Sequence, residues 1–353
     1  MNSHDDAISE MLRETAGRVF QDRCDTTTQR AADQGAWSAD LWAAIEAAGL
    51  HWALVPERAG GFGVPVTAAL SLLRTAGEHA IPLPLAETML ASWLLAKANL
   101  AIPEGPLTLG PVRDNEGIRL TSKDNGWHLS GTLTRIPWAR NATAMAVLVQ
   151  HAGQPWIALA NNDVWSLERG ENVAHEPRDT VWLEGMALAA APADVDVPHL
   201  RAVGAAMRTQ QIAGALTRLT AMTTDYARNR VQFGRPIGKF QAVQQNLAIL
   251  AGQTAAAVAA ADLAAEAMDG GVNVLPIAAG KARAGEAAGI GASIAHQIHG
   301  AIGFTFEHNL HFLTRRLWSW RDEFGKDIEW SRLLGRYMAQ AGADRLWPEI
   351  TAA

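Results

Sequence analysis

Apolar residues recur every three or four positions through the first third of the chain, which is the spacing of amphipathic helices. A clear stripe is formed by Leu41, Trp42 and Ile45. Ser38 precedes this stripe as a predicted N-cap, because its hydroxyl suits the free backbone N–H groups of a first helical turn. The pattern predicts a helical N-terminal domain over residues 1–107.

The spacing of apolar residues changes over residues 108–197. Short alternating or β-branched runs replace the helical stripes, and Asn-Gly, Ser-Gly and Gly-Gln-Pro turn signals separate them. Asn125 and Gly126 lie between two such runs and predict a hairpin turn. We therefore expect a compact β domain over these residues.

Long alanine-rich helical patterns return after Pro198 and continue to the end of the chain. They cover residues 199–229, 240–268 and 275–298, and they predict a helical C-terminal domain over residues 198–353. The expected fold class is mostly α with a central β domain.

Composition and charge narrow the class of protein. The chain has 353 residues and a net charge of −6, which disfavours nucleic acid and anionic membranes as partners. Its single cysteine, Cys24, excludes an intrachain disulfide and suits a reducing cytoplasm. The N-terminus is acidic, unlike a signal peptide, and no apolar run reaches the roughly 18 residues of a membrane span. We expect a cytoplasmic protein with no membrane or nucleic-acid partner.

A cationic segment, residues 226–250, interrupts the helical pattern of the last third. Arg228, Arg230, Arg235 and Lys239 surround a Phe-Gly pair, and several glutamines follow on a resumed helix. Taken alone, such a charge run is typical of a solvated face above core phenylalanines.

Three stretches, in this order, resemble the acyl-CoA dehydrogenase family. They are LWAAIEAAGLHWALVPERAGGFG, the cationic segment with its Arg-x-x-Phe-Gly and Phe-Gln-x-x-Gln elements, and QIHGAIGFTFEHNLHFLTRR. The resemblance runs over nearly the whole chain and implies an N-terminal helical domain, a β-barrel-like middle domain and a C-terminal four-helix bundle. It also implies tetramers that bind FAD, oxidise acyl-CoA thioesters between the α and β carbons, and pass electrons to an electron-transfer flavoprotein.

By this resemblance, the cationic segment reaches the FAD of a neighbouring subunit. A guanidinium delivers paired charge-assisted hydrogen bonds to a pyrophosphate, which is the role expected of Arg230. The family's usual second glycine after Gly300 is replaced by Ala301. The expected cofactor-binding residues are Arg230, Gln232, Phe233, Ile237, Phe240, Gln241, Gln297 and Gly300.

The catalytic base fits the family pattern less well. Counting from Gln297 by the family's spacing reaches Phe324, and Glu323 lies one residue early. Glu323 is therefore the candidate base, since a carboxylate in a dry pocket suits abstraction of an α-proton. The alternative is a surface carboxylate that pairs with Arg321 or Lys326.

Two departures from the family point to a working partner chain. The other family position for the base falls on Gly204, whose neighbours carry no carboxylate, and the strand-end elements that cradle the flavin have no clear counterpart. This one-sided loss is similar to the short partner subunits of heterotetrameric acyl-CoA dehydrogenases in steroid catabolism. The leading hypothesis is an FAD-dependent acyl-CoA dehydrogenase subunit, paired with a longer chain that carries the base.

Two other functions remain open on the sequence. One is a self-sufficient homo-oligomeric dehydrogenase that uses Glu323, and the other is a non-enzymatic assembly protein that has lost flavin. Four histidines have a spacing seen in metal sites, but no further ligand type completes the set, so no metal site is expected. These histidines are His296, His299, His308 and His311.

Overall fold

The computed structural model describes residues 3–113, 116–123 and 126–351. Within these residues, five α-helices precede the first strand: α1 (Ser3–Arg23), α2 (Thr26–Asp33), α3 (Ala39–Ala47), α4 (Val66–Glu78) and α5 (Leu85–Lys97). Ser38 occupies the predicted N-cap position of α3, but its side chain makes no capping hydrogen bond. The N-cap of α2 is Asp25, which was not predicted. Its carboxylate accepts a hydrogen bond from the Thr28 N–H at 2.7 Å.

In the part of the chain that the structure describes, eight strands follow and form two four-stranded sheets. They are β1 (Leu107–Gly110), β2 (Arg119–Lys123), β3 (Gly126–Pro137), β4 (Ala144–His151), β5 (Gln154–Asn161), β6 (Trp165–Glu168), β7 (Arg178–Ala187) and β8 (Ala189–Pro192). The strand orders are β1-β4-β5-β8 and β2-β3-β7-β6. The predicted β2–β3 hairpin is confirmed by the pairing of Lys123 with Gly126, while Asn125 lies outside the described residues.

One apolar core fills the β region. Leu129, Leu133 and Val181 of one sheet pack with Val147 and Ala158 of the other, and all five are fully buried. These residues belong to the alternating runs that predicted strands, because every second side chain of a strand faces the same side.

The remaining helices and one short hairpin complete the chain. They are α6 (Val197–Asn229), β9 (Val231–Gln232), β10 (Arg235–Pro236), α7 (Gln241–Glu266), α8 (Val274–His299), α9 (Leu310–Asp322), α10 (Asp327–Ala341) and α11 (Leu346–Thr351). The three long helices predicted after Pro198 are confirmed to within a few residues. The fold class, mostly helical with a central β region, is also confirmed.

Small residues let α7 and α8 pack closely. A Cβ on Gly280 would lie 2.6 Å from the Ala260 carbonyl oxygen, so only glycine fits this helix contact. The alanine-rich composition of both helices therefore allows close packing in addition to favouring helix formation.

The described chain divides into two compact units. One consists of Met1–Ala69 with Pro82–Gly204, and the other of Leu70–Ile81 with Ala205–Ala353. The division falls within α4 and α6, so the domain boundaries at 107 and 197 stay predictions.

One helix is long and apolar enough to cross a membrane by length and composition alone. It is α7, of whose apolar window 28% is buried. The sequence did not predict α7 as a membrane span, because polar residues such as Gln253 interrupt its apolar run. Core helices of soluble proteins have the same length and composition, so the expected absence of a membrane span stays a prediction.

Candidate functional site

The middle of the cationic segment, residues 231–236, folds as a tight hairpin between α6 and α7. The Arg230 N–H donates to the Tyr226 carbonyl at 2.8 Å, and the Ile237 N–H donates to the Arg230 carbonyl at 2.8 Å. Phe233 and Gly234 form the tip with φ angles of 51° and 77°, a backbone region that favours glycine. The hairpin therefore projects the Phe233 side chain into solvent, where it is 92% exposed.

Aromatic and cationic side chains line this hairpin. The Phe233 and Phe240 rings meet edge to face with centroids 6.1 Å apart. The Arg235 guanidinium lies over the Phe240 ring at 4.3 Å, a cation–π contact. Arg230 is exposed, and it makes no ion pair with any residue that the structure describes. Its guanidinium is thus available for an anionic ligand.

A second element, the Gly300 loop (residues 297–304), consists of the last residues of α8 and the short 3-10 turn that follows them. Gly300 has a φ of 62°, and a Cβ there would have no neighbour within 4 Å. The backbone at this point is therefore accessible, as close approach of a ligand oxygen requires. Gln297 is exposed on the last turn of α8.

A stacked pair of rings fastens the cationic segment to the Gly300 loop. The Tyr226 and His299 rings are parallel to within 21° with centroids 4.4 Å apart. The Tyr226 hydroxyl also donates to the His299 carbonyl at 3.3 Å. Tyr226 also packs in one apolar cluster with residues of α6, α7, α8 and the turn before α7: Ala227, Ile237, Val243, Leu247, Leu250, Ile290, Ile294 and Ile298.

The structure thus brings the predicted cofactor-binding residues onto two joined elements. Six of the eight are exposed: Arg230, Gln232, Phe233, Gln241, Gln297 and Gly300. Ile237 and Phe240 are half-buried, and Ile237 packs in the apolar cluster of its own chain. The individual roles of all eight residues stay predictions.

Three histidines, two of them buried, lie within or close to the Gly300 loop. Burial lowers the pKa of His296, His299 and His308. The Nε2 atom of His296 contacts the Thr314 hydroxyl at 3.0 Å, while His296 Nδ1 and His299 Nε2 are buried without a hydrogen-bond partner in the described structure. From the sequence, the spacing of these histidines was interpreted only as a possible set of metal ligands. Their rings instead stack, as His296 does on Trp318 at 5.5 Å.

Glu323 is not the surface carboxylate of the alternative interpretation. Its side chain is 14% exposed and pairs with buried Arg208, whose Nη2 lies 2.8 Å from Glu323 Oε2. Arg321 and Lys326 both pair with Asp322 instead, at 3.2 and 3.6 Å. The expected partners were therefore wrong, because Arg208 lies 115 residues away in the sequence. Whether Glu323 is a base stays a prediction.

A buried lysine lies beside this ion pair. Lys281 is fully buried, and its ammonium donates to the Arg321 carbonyl at 2.6 Å and to the Gly325 carbonyl at 3.0 Å. Burial lowers the pKa of Lys281 to about 7, while the nearby Glu323 acts in the opposite direction. Neither Arg208 nor Lys281 was predicted as a site residue, and no local pattern distinguishes Lys281 from the neighbouring cation Arg283 of the same alanine-rich helix.

Two threonines near strand ends of the β region, Thr108 and Thr134, have hydrogen-bond partners within the chain. Both the N–H and the hydroxyl of Thr134 donate to Glu116 Oε1, each at 2.5 Å. The Thr108 hydroxyl donates to the Pro137 carbonyl. Burial raises the pKa of Glu116, although its bonds from Thr134 oppose that change. These two hydroxyls are therefore not free to donate to a flavin ring.

Comparisons with known proteins agree with this architecture. Residues 7–99 match the family model described as acyl-CoA dehydrogenase, N-terminal domain. Residues 200–321 match the model described as acyl-CoA dehydrogenase, C-terminal domain. The acyl-CoA dehydrogenase IpdE2 of Mycobacterium tuberculosis is 29% identical over 313 residues, which are 87% of this chain and 90% of IpdE2.

Solved structures share the fold over almost the full length. A structure described as a Tcur3481-Tcur3483 steroid ACAD variant superimposes with a TM-score of 0.85 and 24% identity, covering 94% of this chain and 98% of that one. The ChsE4-ChsE5 complex from Mycobacterium tuberculosis gives a TM-score of 0.82 and 22% identity, covering 97% and 99%.

Proposed function

The chain belongs to the acyl-CoA dehydrogenase family, and we propose that it serves as the partner subunit of a heteromeric, FAD-dependent acyl-CoA dehydrogenase. Enzymes of this family are oxidoreductases that act on the CH–CH bond of acyl-CoA thioesters. The observation that carries the proposal is an asymmetry within the chain. The cationic segment and the Gly300 loop present free groups, whereas hydroxyls at the strand ends of the β region are occupied.

The free groups fit a dinucleotide. Arg230 would pair with the pyrophosphate, and the open backbone at Gly300 would let phosphate oxygens approach. Phe233 and Phe240 offer apolar surface to the adenosine, with Gln241 and Gln297 as nearby polar contacts. When bound, FAD supplies the hydride acceptor for the oxidation. This chain's residues would hold one end of a cofactor seated mostly in another chain.

The assembly is proposed by analogy with the relatives. Two of the solved structures are a steroid ACAD variant and a ChsE4-ChsE5 complex, which supports a bulky acyl-CoA substrate and a second chain. We propose a cytoplasmic tetramer that passes electrons to an electron-transfer flavoprotein. The partner would carry the base.

Co-purification with a longer dehydrogenase chain tests this function. We expect a yellow complex that contains both chains, while this chain alone binds no flavin. Arg230→Gln should weaken FAD binding about 10- to 100-fold, because charge-assisted hydrogen bonds contribute about 1.5–3 kcal/mol. Arg228→Gln is the matched control, since Arg228 is also exposed on the same segment.

The two alternatives give different results in the same measurement. A homo-oligomer that is yellow alone, oxidises an acyl-CoA and loses that activity in Glu323→Gln would overturn the partner assignment. A complex that forms without any flavin would instead indicate an assembly protein.

A further inference from the structure

Arg208 and Glu323 form a buried, geometrically specific ion pair. Arg208 Nε donates to Glu323 Oε2 at 2.9 Å, and Arg208 Nη2 lies 2.8 Å from the same oxygen. The Arg208 side chain is 2% exposed. Its Nη1 donates to Gln211 Oε1, and its guanidinium faces the Trp320 and Phe324 rings at 6.0 and 5.8 Å. The guanidinium is therefore held on several sides.

The turn that carries Glu323 is fixed by a second set of contacts. Lys281 holds the backbone carbonyls on either side of it, those of Arg321 and Gly325. The Trp330 indole N–H donates to the Phe324 carbonyl at 3.1 Å. Phe324 has a φ of 52°, a conformation that bulky residues adopt only when surrounding contacts impose it. The turn is therefore held in one conformation.

This arrangement opposes the work of a general base. A base must reach the proton it removes and then carry that proton, whereas Glu323 Oε2 is occupied by two guanidinium N–H groups. Movement of Glu323 toward a substrate would leave Arg208 buried without its counter-ion, which is strongly unfavourable. The contacts that fix the turn also restrict such a movement.

We propose that Glu323 is the fixed counter-ion of Arg208, and that the turn after α9 supplies no base to the dehydrogenation. The second claim, that this turn supplies no base, rests on the proposed function, in which the partner chain carries the base. The Arg208–Glu323 pair instead locks the position at which family spacing places the base.

A double-mutant cycle tests the ion pair without any activity measurement. Arg208→Leu and Glu323→Leu should each lower the Tm of the complex by about 5–10 °C, because each leaves an uncompensated buried charge. The double variant should recover most of that loss, since no unpaired charge remains. Single-variant losses that simply add in the double variant would overturn the pairing. Asp322→Leu is the neighbouring control, and its exposed pairs predict a shift of at most about 2 °C.

Turnover of the co-purified complex tests the absence of a base. Glu323→Gln keeps the shape and one acceptor of the side chain, and we expect turnover per bound FAD to stay within about twofold well below the Tm. A loss of 100-fold or more at normal flavin content, measured well below the variant's own Tm, would overturn the inference. A wild-type complex without flavin would overturn the proposed function, and the thermal cycle would still decide the ion pair.

Discussion

At the residue scale, the Tyr226–His299 stack is the point where the two ligand-facing elements are joined. Tyr226 contributes a ring contact at 4.4 Å and one long hydrogen bond at 3.3 Å, and its neighbours form an apolar cluster. The ring should therefore matter more than the hydroxyl.

Two substitutions of Tyr226 separate these contributions. Tyr226→Ala should lower the free energy of unfolding by about 3 kcal/mol, since it removes a partly buried aromatic ring. Tyr226→Phe should cost at most about 1 kcal/mol, the usual net value of one hydrogen bond. Urea denaturation of both variants measures the difference, and equal losses would contradict the assignment to stacking.

Three histidines with lowered pKa values should make the free energy of unfolding depend on pH. Burial lowers the folded-state pKa of His296, His299 and His308. The unfolded chain therefore binds more protons as the pH falls below about 6.5, the ordinary histidine pKa. Stability should be fully present above that pH and should decline as the pH falls through the folded-state values.

Urea denaturation at pH 5, 6, 7 and 8 checks this expectation. The free energy of unfolding should decrease progressively below about pH 6.5, and the decrease should be smaller in His299→Phe, which keeps a ring for stacking but cannot be protonated. An identical pH dependence in the variant would show that other groups cause the acid response.

At the scale of single elements, the Gly300 loop combines a positive φ with an open surface. Gly300 and Gly270 both have positive φ, 62° and 69°, and a Cβ on either would meet nothing within 4 Å. They differ in location, since Gly270 lies in the connection between α7 and α8. This pair therefore separates a backbone effect from a ligand effect.

Gly270→Ala should lose about 1 kcal/mol of stability and Gly300→Ala at least as much, because alanine disfavours positive φ and Gly300 combines it with a ψ of −141°. Only Gly300→Ala should weaken FAD binding in the co-purified complex, because its methyl group would occupy the space proposed for phosphate oxygens. Flavin content after gel filtration is the measurement. Equal flavin content in the two variants would remove Gly300 from the proposed site.

Local pattern was sufficient for the elements but not for every side-chain partner. The apolar periods that predicted α6, α7 and α8 depend on neighbours three or four residues apart, which the sequence displays directly. The Arg208–Glu323 pair joins two elements 115 residues apart, and no local period encodes such a contact. Similarly, Ser38 was placed correctly at its helix start, but whether its hydroxyl bonds depends on a rotamer that periodicity does not specify.

At the scale of the whole molecule, net charge opposes the proposed cofactor. The chain carries −6, and a dinucleotide pyrophosphate is also anionic, so attraction must come from the local cations of the cationic segment. Such exposed interactions weaken as salt screens them, over about 10 Å at 0.1 M ionic strength.

FAD binding to the complex should therefore weaken as salt is added. The dependence should be flatter in Arg230→Gln, which lacks the proposed pyrophosphate contact, than in Arg228→Gln. Fluorescence titration of the apo-complex with FAD at several salt concentrations measures both slopes. Indistinguishable slopes would indicate that Arg230 acts only through the general field of the protein.

The locked turn after α9 also limits how a redesign could make this chain catalytically independent. Phe324→Glu would put a carboxylate at the position that family spacing assigns to the base, but the Phe324 ring faces the Arg208 guanidinium. The new carboxylate would compete with Glu323 for one cation, and the buried side of the turn would gain a negative charge without a partner. A catalytically independent variant would therefore need changes at Arg208, Glu323 and Phe324 together, whether it arises by design or by evolution.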